Sequence, residues 1–130
     1  IWETARALPG LRVPTVPETV GHAGYKCYLF VEPAELAAGW DRDRILAAVQ
    51  EHNVPCFSGS CSEVYLEKCF QDAGLVPDAP LTNANELSDT SLMFLVHPTL
   101  EDHHITQTCR SLKAVMAEAT AHNPAACASG

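Results

Sequence analysis

Six cysteines and six histidines carry the sharpest chemistry in this sequence. Cys56, Cys61 and Cys69 fall in one stretch, and His97, His103, His104 and Cys109 in another. Thiolates and imidazoles are the common ligands of zinc, so a zinc-stabilised domain is one reading. The spacing fits it poorly. Structural zinc sites bring cysteines in close pairs such as C-x-x-C, and Cys56-x-x-x-x-Cys61 is wider. His103 and His104 are adjacent, and neighbours on a helix diverge in direction. Cys69 and Cys109 fall on apolar stripes, where cysteine acts as a small buried hydrophobe. The cysteines therefore read as mostly reduced thiols of a cytoplasmic protein. A disulfide scaffold belongs to shorter and less regular chains.

The remaining polar groups give weaker signals. Glu63 and Glu67 stand one turn apart on an expected helix, and paired carboxylates can exchange protons with a substrate. Lys68 beside them makes a solvated helix face the simpler reading, as it is for Asp41-Arg-Asp-Arg44. Ser58-Gly-Ser60 has serines but no strand-to-helix elbow, and reads as a polar turn. His97 precedes Pro98 at the exit of an apolar strand and has no carboxylate in view, which favours a structural hydrogen bond. His22 is open between the same two roles. No glycine-rich or Walker-type loop offers a phosphate cradle.

The elements that would position these groups follow from periodicity. Trp2, Ala5 and Leu8 lie on one face of a short helix ended by Pro9-Gly10. The chain enters at Ile1-Trp-Glu3 as though in mid-element, so a piece of a longer protein is expected. Leu11 to Val20 carries Pro14 and Pro17 and reads as an extended loop. Tyr25 to Val31 alternates as a strand, with Tyr25, Cys27, Leu29 and Val31 on one side and Lys26, Tyr28 and Phe30 on the other. Asp41 or Asp43 caps a helix to about His52 with a stripe of Ile45, Leu46 and Val49, and Asn53 suits its end. Val54 to Phe57 is a short strand, held near an edge by Pro55. Ser62 opens a helix bearing Tyr65, Leu66, Cys69, Phe70 and Ala73, stopped by Gly74. Thr82 to Leu87 is a short helix after a linker from Pro77 to Pro80. Ser91 to Val96 is the most apolar strand and therefore the central one. Thr99 to Asp102 resembles a capping box, and a helix with a stripe of Ile105, Thr108/Cys109, Leu112, Val115/Met116 and Ala119 follows. The fold class is α/β (α+β): a small open sheet of about three mainly antiparallel strands with helices on one face.

Composition limits the partners. The chain has 130 residues, 47% of them hydrophobic and 18% charged, which suits one globular domain. Its net charge is −8, and its eight lysines and arginines are scattered. Nucleic acids need clustered cations, and anionic membranes repel an acidic surface, so neither is an expected partner. The run from Ser91 to Val96 is too short to span a bilayer.

Several segments together resemble one family. His22-Ala-Gly-Tyr-Lys-Cys-Tyr-Leu-Phe-Val31 is similar to the "His-Ala-x-Tyr-x-x-Tyr-x-Phe-Val" stretch that begins the small domain of DegT/DnrJ/StrS aminotransferases. Arg44 to Cys56 resembles the family's helix followed by Gly-Ile/Val-Pro, with Asn53 in place of the glycine. Leu92-Met-Phe-Leu-Val-His-Pro98, with the acidic helix after it, resembles the family's last strand and helix, and Leu11 to Pro17 its Pro-rich approach. The resemblance covers nearly the whole chain. It implies the C-terminal small domain of a fold-type-I enzyme that uses pyridoxal phosphate to move an amino group from glutamate or glutamine onto a keto-sugar nucleotide. By the same resemblance, residues 1–20 are the end of an inter-domain helix and its Pro-rich approach. Residues 21–121 are the small domain, and 122–130 a flexible tail.

The resemblance also implies what is missing. The Schiff-base lysine and the phosphate-binding residues of that family lie in its large N-terminal domain. Lys26, Lys68 and Lys113 match none of them, so no catalytic or cofactor-binding residue is carried over and no bound cofactor or activity is expected of this chain alone. The implied partner is the chain's own large domain, within a homodimeric parent. Trp2, Leu11 and Val13 are the expected docking surface, through which the piece would self-associate. Where the family reads "Tyr-x-Pro-Leu-His" against its substrate, this chain has Phe57 to Tyr65, without the His and Pro. Phe57, Ser58, Ser60 and Glu63 are therefore the expected substrate-facing residues. A stand-alone binding or regulatory module is the alternative from another class.

Overall fold

The computed structural model describes residues 1–121, so the expected tail at 122–130 lies outside the described residues. In order, the elements are α1 (Trp2–Arg6), β1 (Leu11–Arg12), β2 (Lys26–Val31), α2 (Arg42–Glu51), β3 (Cys56–Phe57), α3 (Lys68–Asp72), α4 (Thr82–Thr90), β4 (Ser91–Leu95) and α5 (Asp102–Thr120). The sheet is antiparallel throughout, in the order β1-β2-β4-β3. Among the described residues no helix is long and apolar enough to cross a membrane.

β4 lies inside the sheet, as its apolar sequence requires, and Ser91 to Phe94 are all buried. Its register with β2 pairs Cys27 with Phe94, Tyr28 with Met93 and Leu29 with Leu92. Side chains alternate along a strand, so each pair shares a face. Leu29, Val31, Leu92, Phe94 and Cys56 enter the core beneath the buried side chains of α1, α2 and α5. On α5 these are Thr108, Ser111, Leu112, Val115, Met116 and Ala119, the expected stripe with Ser111 added and Ile105 only half-buried. The Ser111 hydroxyl is buried without a partner among the described residues. Such a group costs its desolvation, so this core carries a polar defect.

Local chemistry sets the ends of α2. Asp41 accepts from the Arg44 amide at 2.8 Å, so of the two candidate N-caps it is Asp41 rather than Asp43. Asn53 takes φ 57°, a left-handed conformation that asparagine tolerates better than most residues. The Arg42 side chain, expected in solvent, is instead mostly covered and donates to the Ser91 carbonyl at 3.1 Å. Gln50 donates to the Cys56 carbonyl at 2.8 Å, tying the same helix to the edge strand.

Several expectations need correction. The sheet gains a fourth strand because Leu11 and Arg12 precede the first proline of their loop and can still pair with β2. Gly10 makes that approach feasible. It has φ 76°, and a Cβ there would stand 2.9 Å from Met116 Cε. Trp2, Leu11 and Val13, expected to dock another domain, pack on this chain's own core. The helix expected from Ser62 is a turn at Val64–Leu66 and a separate five-residue α3, with Glu67 extended between them. Its stripe misses the core: Leu66 and Cys69 are exposed. So short a helix gains little without burial. α4 runs three residues beyond the expected Leu87. The cap of α5 is Glu101 with His104 rather than Thr99 with Asp102.

Two measurements probe this core. Ile45 is fully buried, so Ile45→Ala is expected to cost about 2–5 kcal/mol in denaturant unfolding. A loss near zero would place Ile45 outside the core. Burial also pushes the Cys56 thiol up from 9.0 to about 12, against weaker opposing help from the Phe57 and Met93 backbone and from Arg42. The fold thus holds a proton that the unfolded chain releases. Its stabilisation is whole below pH 9 and lost as pH rises toward 12. Cys56→Ala should flatten the alkaline fall of stability in that window.

Candidate functional site

The outer face of the sheet carries the residues of opposite parity: Arg12, Lys26, Tyr28, Phe30, Phe57 and Met93. Phe57 ends β3 half-exposed, at 44%. The chain then doubles back over Tyr28. Gly59 makes the approach, with φ 91° and a hypothetical Cβ only 2.7 Å from Tyr28 Cε1. No other residue fits that contact without displacing the ring.

Ser60 is anchored there by three hydrogen bonds. Its amide donates to the Tyr28 oxygen at 3.2 Å, its Oγ lies 3.2 Å from the same oxygen, and Lys26 Nζ donates to that Oγ at 3.3 Å. The Ser60 hydroxyl, opposed by burial and helped by the Ser60 amide and the Lys26 charge, lowers the Tyr28 phenol from its ordinary pKa. An open hollow of about 500 Å³ lies beside this cluster, bounded by the chain from Val20 to Lys26. A smaller one of about 270 Å³ lies on the other side of Ser60, between Tyr28, Phe30 and Leu87 of α4. Phe30 stacks on Tyr28 at 6.4 Å and carries the Arg12 guanidinium 4.6 Å above its ring.

Glu63 belongs to a second cluster. It accepts from Tyr65 OH at 2.7 Å and from Asn85 Nδ2 at 3.4 Å. Donation to the Glu63 carboxylate, with burial, raises the Tyr65 phenol. Of the four expected site residues, Phe57, Ser58 and Ser60 follow one another over the outer face, Ser58 exposed and with its side chain near none of these bonds. Glu63 is turned toward α4. Lys26 and Tyr28 were not among them. The alternation of β2 had put both on the outer side, and the fold brings Ser60 to them across 32 and 34 residues of sequence.

The other polar residues have local roles. His97 Nδ1 lies 2.7 Å from Thr99 Oγ1, beside a hollow of about 280 Å³ at the end of β4. His22 Nδ1 accepts from the Gly24 amide, and its ring meets Trp2 edge-on at 5.3 Å. His103 and His104 do not diverge, because His104 folds back to accept from the Glu101 amide and brings the rings within 3.8 Å. Glu67 accepts from the exposed Cys61 thiol at 3.6 Å rather than serving as a partner of Glu63. Among the described residues, no three His, Cys, Asp or Glu side chains gather to hold a metal ion.

No family model and no curated protein matches the chain. Solved structures do. An aminotransferase from Psychrobacter cryohalolentis is similar over 91% of this chain, with 46% identity and a TM-score of 0.80. The fold is that of an aminotransferase small domain. The aminotransferase TlmJ from Streptoalloteichus hindustanus has the same fold over 88% of the chain, at 16% identity and a TM-score of 0.71. The chain spans 30% and 28% of these two aminotransferases. The helices of this chain that form the core with its sheet lie on one side of it, which leaves the Tyr28 face open in part.

Ser60→Ala tests the cluster. It removes the hydroxyl that most lowers the Tyr28 phenol, so Tyr28 should titrate closer to an ordinary tyrosine in ultraviolet phenolate titration. An unchanged curve would mean that the Ser60 loop does not rest on the ring.

Proposed function

We propose that this chain is the small-domain part of a pyridoxal-phosphate-dependent aminotransferase of the DegT/DnrJ/StrS type. The parent enzyme moves an amino group from glutamate or glutamine onto a keto-sugar nucleotide, in the cytoplasm, as a homodimer. The carrying observation is 46% identity to an aminotransferase, maintained over 91% of the chain with the same fold. The segment resemblances at His22 to Val31 and Leu92 to Pro98 supply the narrower family.

The residues of this chain do not fit the cofactor. Lys68 is exposed and paired with Asp72 at 3.0 Å, Lys113 is exposed on α5, and Lys26 is engaged by Ser60 on the open sheet face. None stands in an enclosed site with amides for a phosphate. The chemistry belongs to the cofactor, which the proposal assigns to the large domain. Purified as it stands, this chain should develop no stable visible absorption from bound pyridoxal phosphate. A lasting band would overturn the assignment.

What this chain supplies is the wall over the substrate. Phe57 offers an apolar edge and Ser58 and Ser60 offer hydroxyl groups to a polyhydroxylated ligand, while Glu63, held by Tyr65 and Asn85, stands aside from them. In the full-length enzyme, Ser60→Ala is expected to raise KM for the acceptor about threefold to tenfold, as for one lost hydrogen bond. Steady-state kinetics equal to those of the parent would remove the segment from substrate contact.

A further inference from the structure

We infer that the segment from Val64 to Leu81 is a docking surface, and that the rest of the parent polypeptide is what covers it. Packing supplies the first observation. Among the described residues, no hydrophobic side chain between Cys56 and Leu92 belongs to the core or packs against it. Yet the stretch is not polar. Val64, Leu66, Leu75, Val76 and Leu81 are all exposed, Leu75 at 66%. They are neighbours rather than scattered. Gln71 donates to the Leu66 carbonyl, the Leu75 amide donates to the Phe70 carbonyl at 2.9 Å, and the Tyr65 oxygen lies beside the Leu81 backbone amide. α3 thus gathers the two flanking turns around itself. A contiguous apolar patch marks an interaction site, whereas single exposed leucines need no explanation.

The second observation is the stripe itself. Tyr65, Leu66, Cys69, Phe70 and Ala73 repeat at helical spacing, the pattern of a face that is to be buried. None of the five is buried by this chain. Trp2, Leu11 and Val13, the surface expected to dock, are used up on this chain's own core. The third observation is length. The chain spans 30% of an aminotransferase to which it is 46% identical, so most of such a polypeptide lies outside it.

Charge separates that partner from a second copy of this chain. Glu67, Asp72 and Asp78 are exposed around the patch, and Lys68, the one cation from Val64 to Leu81, is paired with Asp72 at 3.0 Å. Two copies meeting here would oppose like charges on a molecule of net charge −8, and such juxtaposition is costly. A face with an apolar centre and lysine or arginine at its rim matches the patch on both counts. The patch follows directly on Phe57 to Ser60, so docking would also fix that wall in place. The inference rests on the function proposed above only for the identity of the partner.

The test is hydrogen exchange read by mass spectrometry, in this chain alone and in the full-length enzyme. Amides from Leu66 to Val76 are expected to exchange about tenfold slower or more in the full-length enzyme, with those of α2 changed much less. Equal exchange from Leu66 to Val76 in the two proteins would overturn the surface. Leu66→Asp with Leu75→Asp supplies a second arm. In this chain alone the pair should leave the denaturant midpoint unchanged, because neither side chain touches the core. In the full-length enzyme it should return these amides to the fast exchange of the isolated chain, and protection that survives both substitutions would also overturn the surface. In sedimentation velocity at rising concentration this chain should stay monomeric. A dimer abolished by Leu75→Asp would make a second copy the occupant and overturn the choice of partner. Transamination by the unsubstituted full-length enzyme is assayed in parallel. Its absence would reject the proposed function, while the exchange result still decides the docking surface.

Discussion

The antiparallel register of β2 against β4 is the constraint on which the rest depends. Leu29 faces Leu92 and Cys27 faces Phe94, so residues of that parity enter the core together. The intervening residues have no choice but the outer face, because a strand alternates with a period of two. A slip of one residue would bring Lys26 and Tyr28 inward and expose Leu29 and Val31. The apolar residues thus fix the register, and the register in turn presents Lys26, Tyr28 and Phe30 to whatever lies outside. The site is a by-product of packing the other face.

Two kinds of attachment hold the chain together. α1, α2 and α5 are bound by buried apolar surface, with a few polar ties such as Arg42 to Ser91 and Gln50 to Cys56. The stretch after β3 is bound differently. Val64, Leu66, Leu75, Val76 and Leu81 are all exposed, and the segment is attached through Ser60 to Tyr28 and through Glu63 to Asn85. Few buried contacts and exposed hydrogen bonds imply a low free energy of local opening. That suits the substrate-facing role proposed for this segment. It is also the part of the fold that is least able to specify itself.

The same division explains which parts of the structure were legible. Ile45 and Val49 on α2, and Leu112, Val115 and Ala119 on α5, repeat at helical spacing because one face of each helix is buried. Asn53 was legible as a helix end because few other side chains accept its backbone angles. The region around Cys69 was misread for the converse reason. Tyr65, Leu66, Cys69 and Phe70 have helical spacing but no core to face, and periodicity without a partner does not set a helix. β1 was missed because two residues beside a Pro-rich loop have no periodicity at all, and pair only because β2 already offers an edge.

By itself, the sequence determined the strand alternation, the buried stripes of α2 and α5, a cap at Asp41 or Asp43 and the central position of β4. These depend on side-chain chemistry within a few residues of one another. It also marked Ser58-Gly-Ser60 as a polar turn after the strand that ends at Phe57. Only the tertiary structure brought Ser60 to Tyr28 and Lys26 and turned Glu63 away to Asn85. The first depends on how a loop closes across more than 30 residues of chain, with Gly59 pressed on an aromatic ring. No local pattern encodes such a contact, because its partners meet only after the β2–β4 ladder has formed.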